Sequence, residues 1–300
     1  MSGLRAQFER DGYVVIPSLL TRTEADYYRS EIIKLSGVGD ADYGSKVFEC
    51  PDGVSKHREF WPLIFHEKLI EVVRELLGPT ARYTQHSDLH AHRIGGWHRD
   101  SACRKFGEGA DWDESRAPYL VTRVAIYLQT FAESGSSLGV VPGSHRFERR
   151  LTDAEWASWE PRFRWEHRWK KLRHRLGLGP EPRFPPRQMT MWTTPDPNPS
   201  RTRPSVPVWI KTEPGDCILF NQRLYHCASP IRGPKYAVYL SYAPENEHSR
   251  NHMGYYRHTR TDLGYGPLDP ELAETLRERG LFLDAPDPSK LPSEFAIPAM

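Results

Sequence analysis

Cysteine is scarce. The four in 300 residues, Cys50, Cys103, Cys217 and Cys227, form no CxxC pair, which argues against a disulfide scaffold and a thiolate zinc site; they read as reduced thiols. Long hydrophobic runs are missing as well, and no stretch approaches the roughly 18 apolar residues needed to cross a bilayer. The opening MSGLRAQFERDGYVVIPSLL sets charges among its apolar positions and lacks the uninterrupted core and cleavage site of a signal peptide, so the expected location is the cytoplasm. Neither sign of charge is in excess: 41 Lys and Arg against 39 Asp and Glu leave +2, which argues against a dedicated nucleic-acid binder. No internal repeat is visible. What the chain does have is 38% hydrophobic and 12% aromatic residues, enough to bury a sizeable core in one large domain or two small ones.

The elements follow from periodicity and punctuation. A short helix is expected over residues 3–10, a β-run over 12–16, and a helix over 21–35 that opens with Thr capping chemistry. In HEKLIEVVRELLG, Leu69, Val72, Val73, Leu76 and Leu77 recur at helical spacing before Gly78-Pro79 ends the element. Beyond it the pattern changes to short β-type runs, at 82–86, 89–94, 120–129, 138–141, 206–211, 216–220 and 236–242, divided by ESGSS, PGSH and EPGD. Helices followed by many short strands indicate a mainly β fold with supporting helices, a sandwich or barrel rather than an alternating α/β sheet.

One segment interrupts the strands. Residues 151–205 start as a helix and continue as a Pro-rich loop. Between 162 and 175 this insert holds Arg162, Arg164, Arg168, Lys170, Lys171, Arg173 and Arg175 against the single acid Glu166, with Trp156, Trp159, Trp165 and Trp169 interleaved. Two readings stand open: a solvated basic face whose tryptophans pack on the barrel, or an interfacial, anion-facing element associated peripherally with a membrane.

The candidate site starts from GGWHRDSACR. In a strand, His98 and Asp100 fall on one face and offer an imidazole nitrogen and a carboxylate oxygen to a single ion. A lone HxD pair among 13 histidines arises easily by chance. A third ligand is therefore required, and His226, after the apolar run of EPGDCILFNQRLYHCASP, is the candidate. Two histidines and one carboxylate form the facial triad of non-haem Fe(II) oxygenases, which leaves coordination positions open.

Four ordered stretches now resemble one family. FERDGYVVIPSLL, WHRD, YLQTFAESGSSLGVVPGSHR and EPGDCILFNQRLYHCASP are similar to the opening helix and strand, the HxD motif, the strand and PGSH turn, and the distal-histidine strand of the phytanoyl-CoA dioxygenase group. The resemblance spans most of the chain. It implies one domain over residues 1–300, with the 151–205 segment as an insert, folded as a double-stranded β-helix, a cupin-like jelly roll. It also implies Fe(II) held by His98, Asp100 and His226, and 2-oxoglutarate as co-substrate. Family members that halogenate carry a small residue in place of this acid; Asp100 instead favours hydroxylation of an unactivated C–H bond.

In the family an arginine on the strand after the distal histidine meets the far carboxylate of 2-oxoglutarate. This sequence departs from that pattern. Lys235 opens the β-run and is ranked first, as a point charge without the guanidinium fork; Arg232, in what reads as a turn, and Arg123, a charge on an apolar strand, follow. Ser229 and Gln129 are candidates for added hydrogen bonds. Around the mouth, Arg99, Arg104, Lys105 and Arg116 offer anion contacts and Trp97, Trp112, Tyr119 and Trp192 stacking faces. The segment NEHSRNHMGYYRHTRTDLGYGPL adds His248, Arg250, His252, Arg257 and Arg260. Together they favour a small anionic or sugar-containing substrate. Within the resemblance, hydroxylation of the acidic sugar Kdo on a lipid A precursor, at the inner face of a bacterial membrane, fits a basic, Trp-bearing helix. Acyl-thioester and secondary-metabolite substrates fit the metal motif equally. A jelly-roll metal protein that ignores 2-oxoglutarate and a non-catalytic binding module are the readings from other classes.

Overall fold

In the computed structural model the described residues are 3–100, 120–135, 138–146, 149–178, 192–193, 207–228 and 232–286. Their strands, in chain order, are β1 (Tyr13–Ile16), β2 (Phe48–Pro51), β3 (Ala81–Tyr83), β4 (Asp88–Ala91), β5 (Gly95–His98), β6 (Thr122–Tyr127), β7 (Leu138–Val140), β8 (Arg149–Arg150), β9 (Trp192–Thr193), β10 (Val208–Ile210), β11 (Cys217–Asn221), β12 (His226–Ala228) and β13 (Tyr236–Pro244). The larger sheet runs β1-β11-β6-β13-β4-β2, with β3 also on β13; the smaller runs β10-β7-β12-β5; β8 and β9 pair apart. Sequence neighbours are rarely sheet neighbours, and in both main sheets every pairing is antiparallel. This is the cupin-like double-stranded β-helix architecture, here with substantial helix content.

Period-2 alternation builds the layers. On β6, Ala125 and Tyr127 join Ile218 and Phe220 of β11, Ala237 and Tyr239 of β13, and Leu138, Val140 and Ile210 of the smaller sheet in one buried cluster between the sheets. The intervening residues, among them Val124, Ile126, Leu219, Val238 and Leu240, face the other way and pack with helical residues such as Ala25, Ile32, Leu69, Val73 and Leu76. The helices thus cover the outer face of the larger sheet.

The helices obey the expected local chemistry. Arg22–Ser36 opens on a capping box in which the Thr21 hydroxyl accepts from Glu24 N and the Glu24 carboxylate accepts from Thr21 N, and it closes at Gly37 with φ 65°. Glu67–Leu77 buries Leu69, Val72, Val73, Leu76 and Leu77, as the periodicity requires.

A helix that the pattern did not disclose spans Glu247–Thr259. Its cap is Asn246, whose side chain accepts from Ser249 N at 3.0 Å. Its buried face is mostly polar and aromatic, with His248, Asn251, His252, Tyr255 and Tyr256, so it lacks an apolar stripe and reads as a loop. In the insert the helix is Asp153–Arg175, capped by Thr152 and Glu155. Trp156 is buried, as the packed reading requires, but Trp165 and Trp169 are 65% and 54% exposed. No described helix is long and apolar enough to cross a membrane.

Candidate metal centre

The two histidines are brought together by strand pairing: β12 lies between β5 and β7, in a register that sets His226 opposite His98. Their rings lie 4.4 Å apart, centroid to centroid. Nδ1 of His98 is 2.7 Å from Gly96 O, and Nδ1 of His226 is 2.9 Å from Leu224 O. A carbonyl can only accept, so both Nδ1 atoms donate, and Nε2 is the nitrogen that each ring has left for an ion. Those Nε2 atoms are 3.4 and 3.5 Å from Asp100 Oδ1. Asp100 follows β5, and its N–H donates to Gln222 O at 3.2 Å. One ligand atom from each of the three residues lies within 4.8 Å of the others, the only such histidine and acid cluster among the described residues. Two imidazole nitrogens and one carboxylate oxygen, with their other atoms tied back, match the donor set of a facial triad for a divalent ion.

The second oxygen of Asp100 is engaged elsewhere. Its Oδ2 lies 3.1 Å from Arg123 Nε, while Arg123 Nη2 is 2.8 Å from Asp88 Oδ2 and Nη1 donates to His86 O. Burial by itself raises the Asp100 carboxyl, but His226, Arg123 and the hydrogen bonds from both histidines outweigh it and hold the group well below the usual carboxylate range. For His98 burial pulls downward, and the Asp100 contact reverses this to a net rise. Arg123 is thus sandwiched between two carboxylates and leaves Oδ1 as the oxygen turned toward the histidines.

A cavity of about 240 Å³ adjoins the triad. Lys235, immediately before β13, lines it and is fully buried. Its Nζ donates to Arg93 O at 2.6 Å and lies 5.8 Å above the Tyr127 ring, and no carboxylate among the described residues is within ion-pair distance. Burial, helped by Arg93, lowers this ammonium to about 7. Nearby, Glu49 pairs with Arg93 at 2.9 Å, and His90 stands 4.9 Å from Tyr239. A second group in the lining stacks His86 on Tyr256 at 4.0 Å, with the Tyr265 ring tilted against Tyr256 at 5.1 Å and Arg260 beside them. His86 Nδ1 is buried without a hydrogen-bond partner among the described residues.

The remaining sequence candidates fall in different places. Arg123 lines the cavity, but its charge is met by Asp88 and Asp100. Arg232 is exposed, packs over Gly135 and is absent from the lining; Gln129 is buried, and its Oε1 accepts from Tyr236 N at 2.6 Å. Ser229 lies outside the described residues, as do Arg104, Lys105, Trp112, Arg116, Tyr119 and the side chain of Trp192. Arg99 donates to Ser144 O at 3.2 Å, Trp97 rests 5.7 Å from Trp209, and Arg250 pairs with Glu245 at 2.6 Å. Arg260 joins the cavity, and His248 and His252 are buried in the helix that flanks it.

Sequence reasoning missed His86, Asp88 and His90. All three line the cavity while Leu89 and Ala91 face the core, so the alternation in HSDLHA carried the signal.

The sequence model of the family described as Phytanoyl-CoA dioxygenase (PhyH) matches residues 8–237. No curated protein matches the chain in sequence. Solved structures share the fold. HygX from Streptomyces hygroscopicus with iron bound is 17% identical over 81% of this chain and 87% of that one, with a TM-score of 0.52. The same protein with nickel and 2-oxoglutarate bound gives 18%, 81%, 87% and 0.51. The non-heme alpha ketoglutarate dependent epimerase SnoN from nogalamycin biosynthesis is 16% identical over 80% of each chain, with a TM-score of 0.50.

Proposed function

This chain belongs to the phytanoyl-CoA dioxygenase family, and from that premise we propose that, as an iron(II)- and 2-oxoglutarate-dependent enzyme, it hydroxylates an unactivated C–H bond of a small anionic or sugar-containing substrate. In this reading the whole chain is one cytoplasmic catalytic domain. His98, Asp100 and His226 hold the metal, and Lys235 receives the far carboxylate of 2-oxoglutarate. When bound, iron and 2-oxoglutarate supply the oxidising power, with oxygen and the keto acid converted to carbon dioxide, succinate and the new hydroxyl group.

The observation that carries the reading is the pairing of two unmet needs across one cavity. Three ligand atoms converge at one place. A fully buried ammonium, with no carboxylate of the protein beside it among the described residues, stands at another. A dicarboxylic keto acid answers both, since one end chelates and the other neutralises. The protein's own residues do the rest. Gly96 O and Leu224 O orient the imidazoles, and Arg123 restrains Asp100 to one oxygen. The apolar walls of Leu138 and Phe220 limit water.

For the substrate, Arg93 and Arg260, paired with Glu49 and Asp262, and His86 offer hydrogen bonding, and Tyr256 and Tyr265 aromatic surface. This mixture supports acidic sugars, so the Kdo of a lipid A precursor heads the screen, with acyl-thioesters and secondary metabolites as comparison sets. The test of the metal reading is an anaerobic titration with Fe(II) and then 2-oxoglutarate, followed by the visible band of a chelated keto acid. The band is expected in wild type and absent in His226→Ala; iron binding without a band, or no iron binding, defeats the reading.

A further inference from the structure

We propose that the outer half of the helix Asp153–Arg175 is a docking surface for an anionic lipid bilayer. One face of this helix is spent on the protein: Trp156 is buried and stacks on Phe163 at 5.6 Å. The opposite face carries Trp165, Trp169 and Leu172, continued by Leu176 just past the helix. Their i, i+4, i+7, i+11 spacing gathers them into a stripe about 60° wide at the helical 100° per residue. They are 65%, 54%, 44% and 62% exposed. The Trp165 and Trp169 rings stack 6.4 Å apart and only 7° from parallel, so the two indoles sit together on this face. Every residue from Arg168 to Leu178 is exposed, so among the described residues this stretch covers no part of the core.

Charge identifies the occupant. Arg173 flanks the stripe on one side, beside Arg162 that pairs with Glu166 at 3.1 Å, and Arg168 and Arg175 flank it on the other; residues 167–178 hold five Lys and Arg and no acidic residue. A second copy would bring the same positive rim against itself, so self-association across this face is opposed. A nucleic acid would meet the arginines but leave the leucines against phosphate. A bilayer surface with anionic headgroups satisfies both sets: tryptophan and leucine enter the headgroup boundary while the cations remain at the phosphates. The inference rests on this surface alone and stands or falls independently of the metal chemistry.

The experiment uses the full chain in co-sedimentation with phosphatidylcholine vesicles and with vesicles containing equal parts of phosphatidylcholine and phosphatidylglycerol. Wild type should sediment with the mixed vesicles only, and added salt should release it. Trp165→Ser with Trp169→Ser, and separately Arg168→Glu with Arg175→Glu, should each weaken binding about tenfold or more while the circular dichroism stays that of wild type. These positions are exposed, so loss of binding is separable from loss of folding. Failure to bind the mixed vesicles overturns the proposal, as does an unaffected tryptophan pair. A concentration-dependent dimer that the tryptophan pair abolishes would assign the surface to self-association instead.

Discussion

Replacing Lys235 with Met should make the metal-free protein more stable while removing its affinity for 2-oxoglutarate. The Lys235 ammonium is fully buried, and burial brings it from an ordinary 10.5 to about 7. That difference corresponds to a penalty of about 5 kcal/mol on the charged form. The sign follows from proton counting. Between pH 7 and 10.5 the unfolded chain holds the lysine proton and the native chain does not, so wild-type stability rises with pH through that window; below pH 7 both hold it and the penalty is complete. Met keeps the stem volume and removes the charge, at the loss of the bond to Arg93 O, about 1–2 kcal/mol. The expected gain is about 3 kcal/mol at pH 6, and by pH 9, where about 2 kcal/mol of penalty remains, it has all but gone. Thermal melts at the two pH values read this directly. Calorimetry with Mn(II) in place of iron should find 2-oxoglutarate bound about ten- to a hundredfold more weakly by the variant. A Met variant less stable than wild type at pH 6, or one that binds the keto acid normally, would refute the assignment of Lys235 as a cation held ready for a ligand carboxylate.

Three further outcomes are expected. If 2-oxoglutarate selects the protonated Lys235, as proposed, its affinity in the Mn(II)-loaded protein should be constant below pH 7 and fall by up to about tenfold per pH unit above it; a flat profile from pH 6 to 9 contradicts this. Arg123→Met leaves Asp88 and Asp100 buried without their shared partner and should destabilise by about 3–5 kcal/mol in urea, with weaker Co(II) binding and partial recovery in Arg123→Lys; unchanged stability and metal affinity would remove Arg123 from its positioning role. Gly139→Ala should cost about 1–3 kcal/mol, because the new methyl would lie 2.5 Å from the Trp209 ring and 2.9 Å from Cys227 Sγ, in the strand that flanks β12; a melting temperature equal to wild type would show that this packing yields freely.

How far the site was legible depends on whether its geometry is local. His98 and Asp100 share a face because a strand has period 2, which two letters of sequence reveal; His226 joins them only through the pairing of β12 with β5, and no local pattern states that pairing. Its identification needed the resemblance of whole motifs. The centre of the larger sheet was legible, since β6, β11 and β13 are largely apolar on both faces and bounded by turn residues, whereas the short edge strand β2, Phe48–Pro51, was not among the expected runs. The helix Glu247–Thr259 was not, because its buried side is mostly histidine, asparagine and tyrosine and gives no apolar stripe at helical spacing.

Arg123 shows the limit most clearly. Its position in an apolar strand demands a buried counter-charge, and the sequence offered a ligand carboxylate as one answer. The fold supplies Asp88 from β4, which β13 separates from β6 in the larger sheet, and Asp100 beyond β5, in the smaller sheet. With that guanidinium neutralised within the protein, Lys235 is the lining cation without a carboxylate partner among the described residues. If Lys235 receives the co-substrate as proposed, its departure from the family's arginine has a physical consequence: a buried lysine can lose its proton where an arginine could not, so 2-oxoglutarate binding is expected to vary with pH.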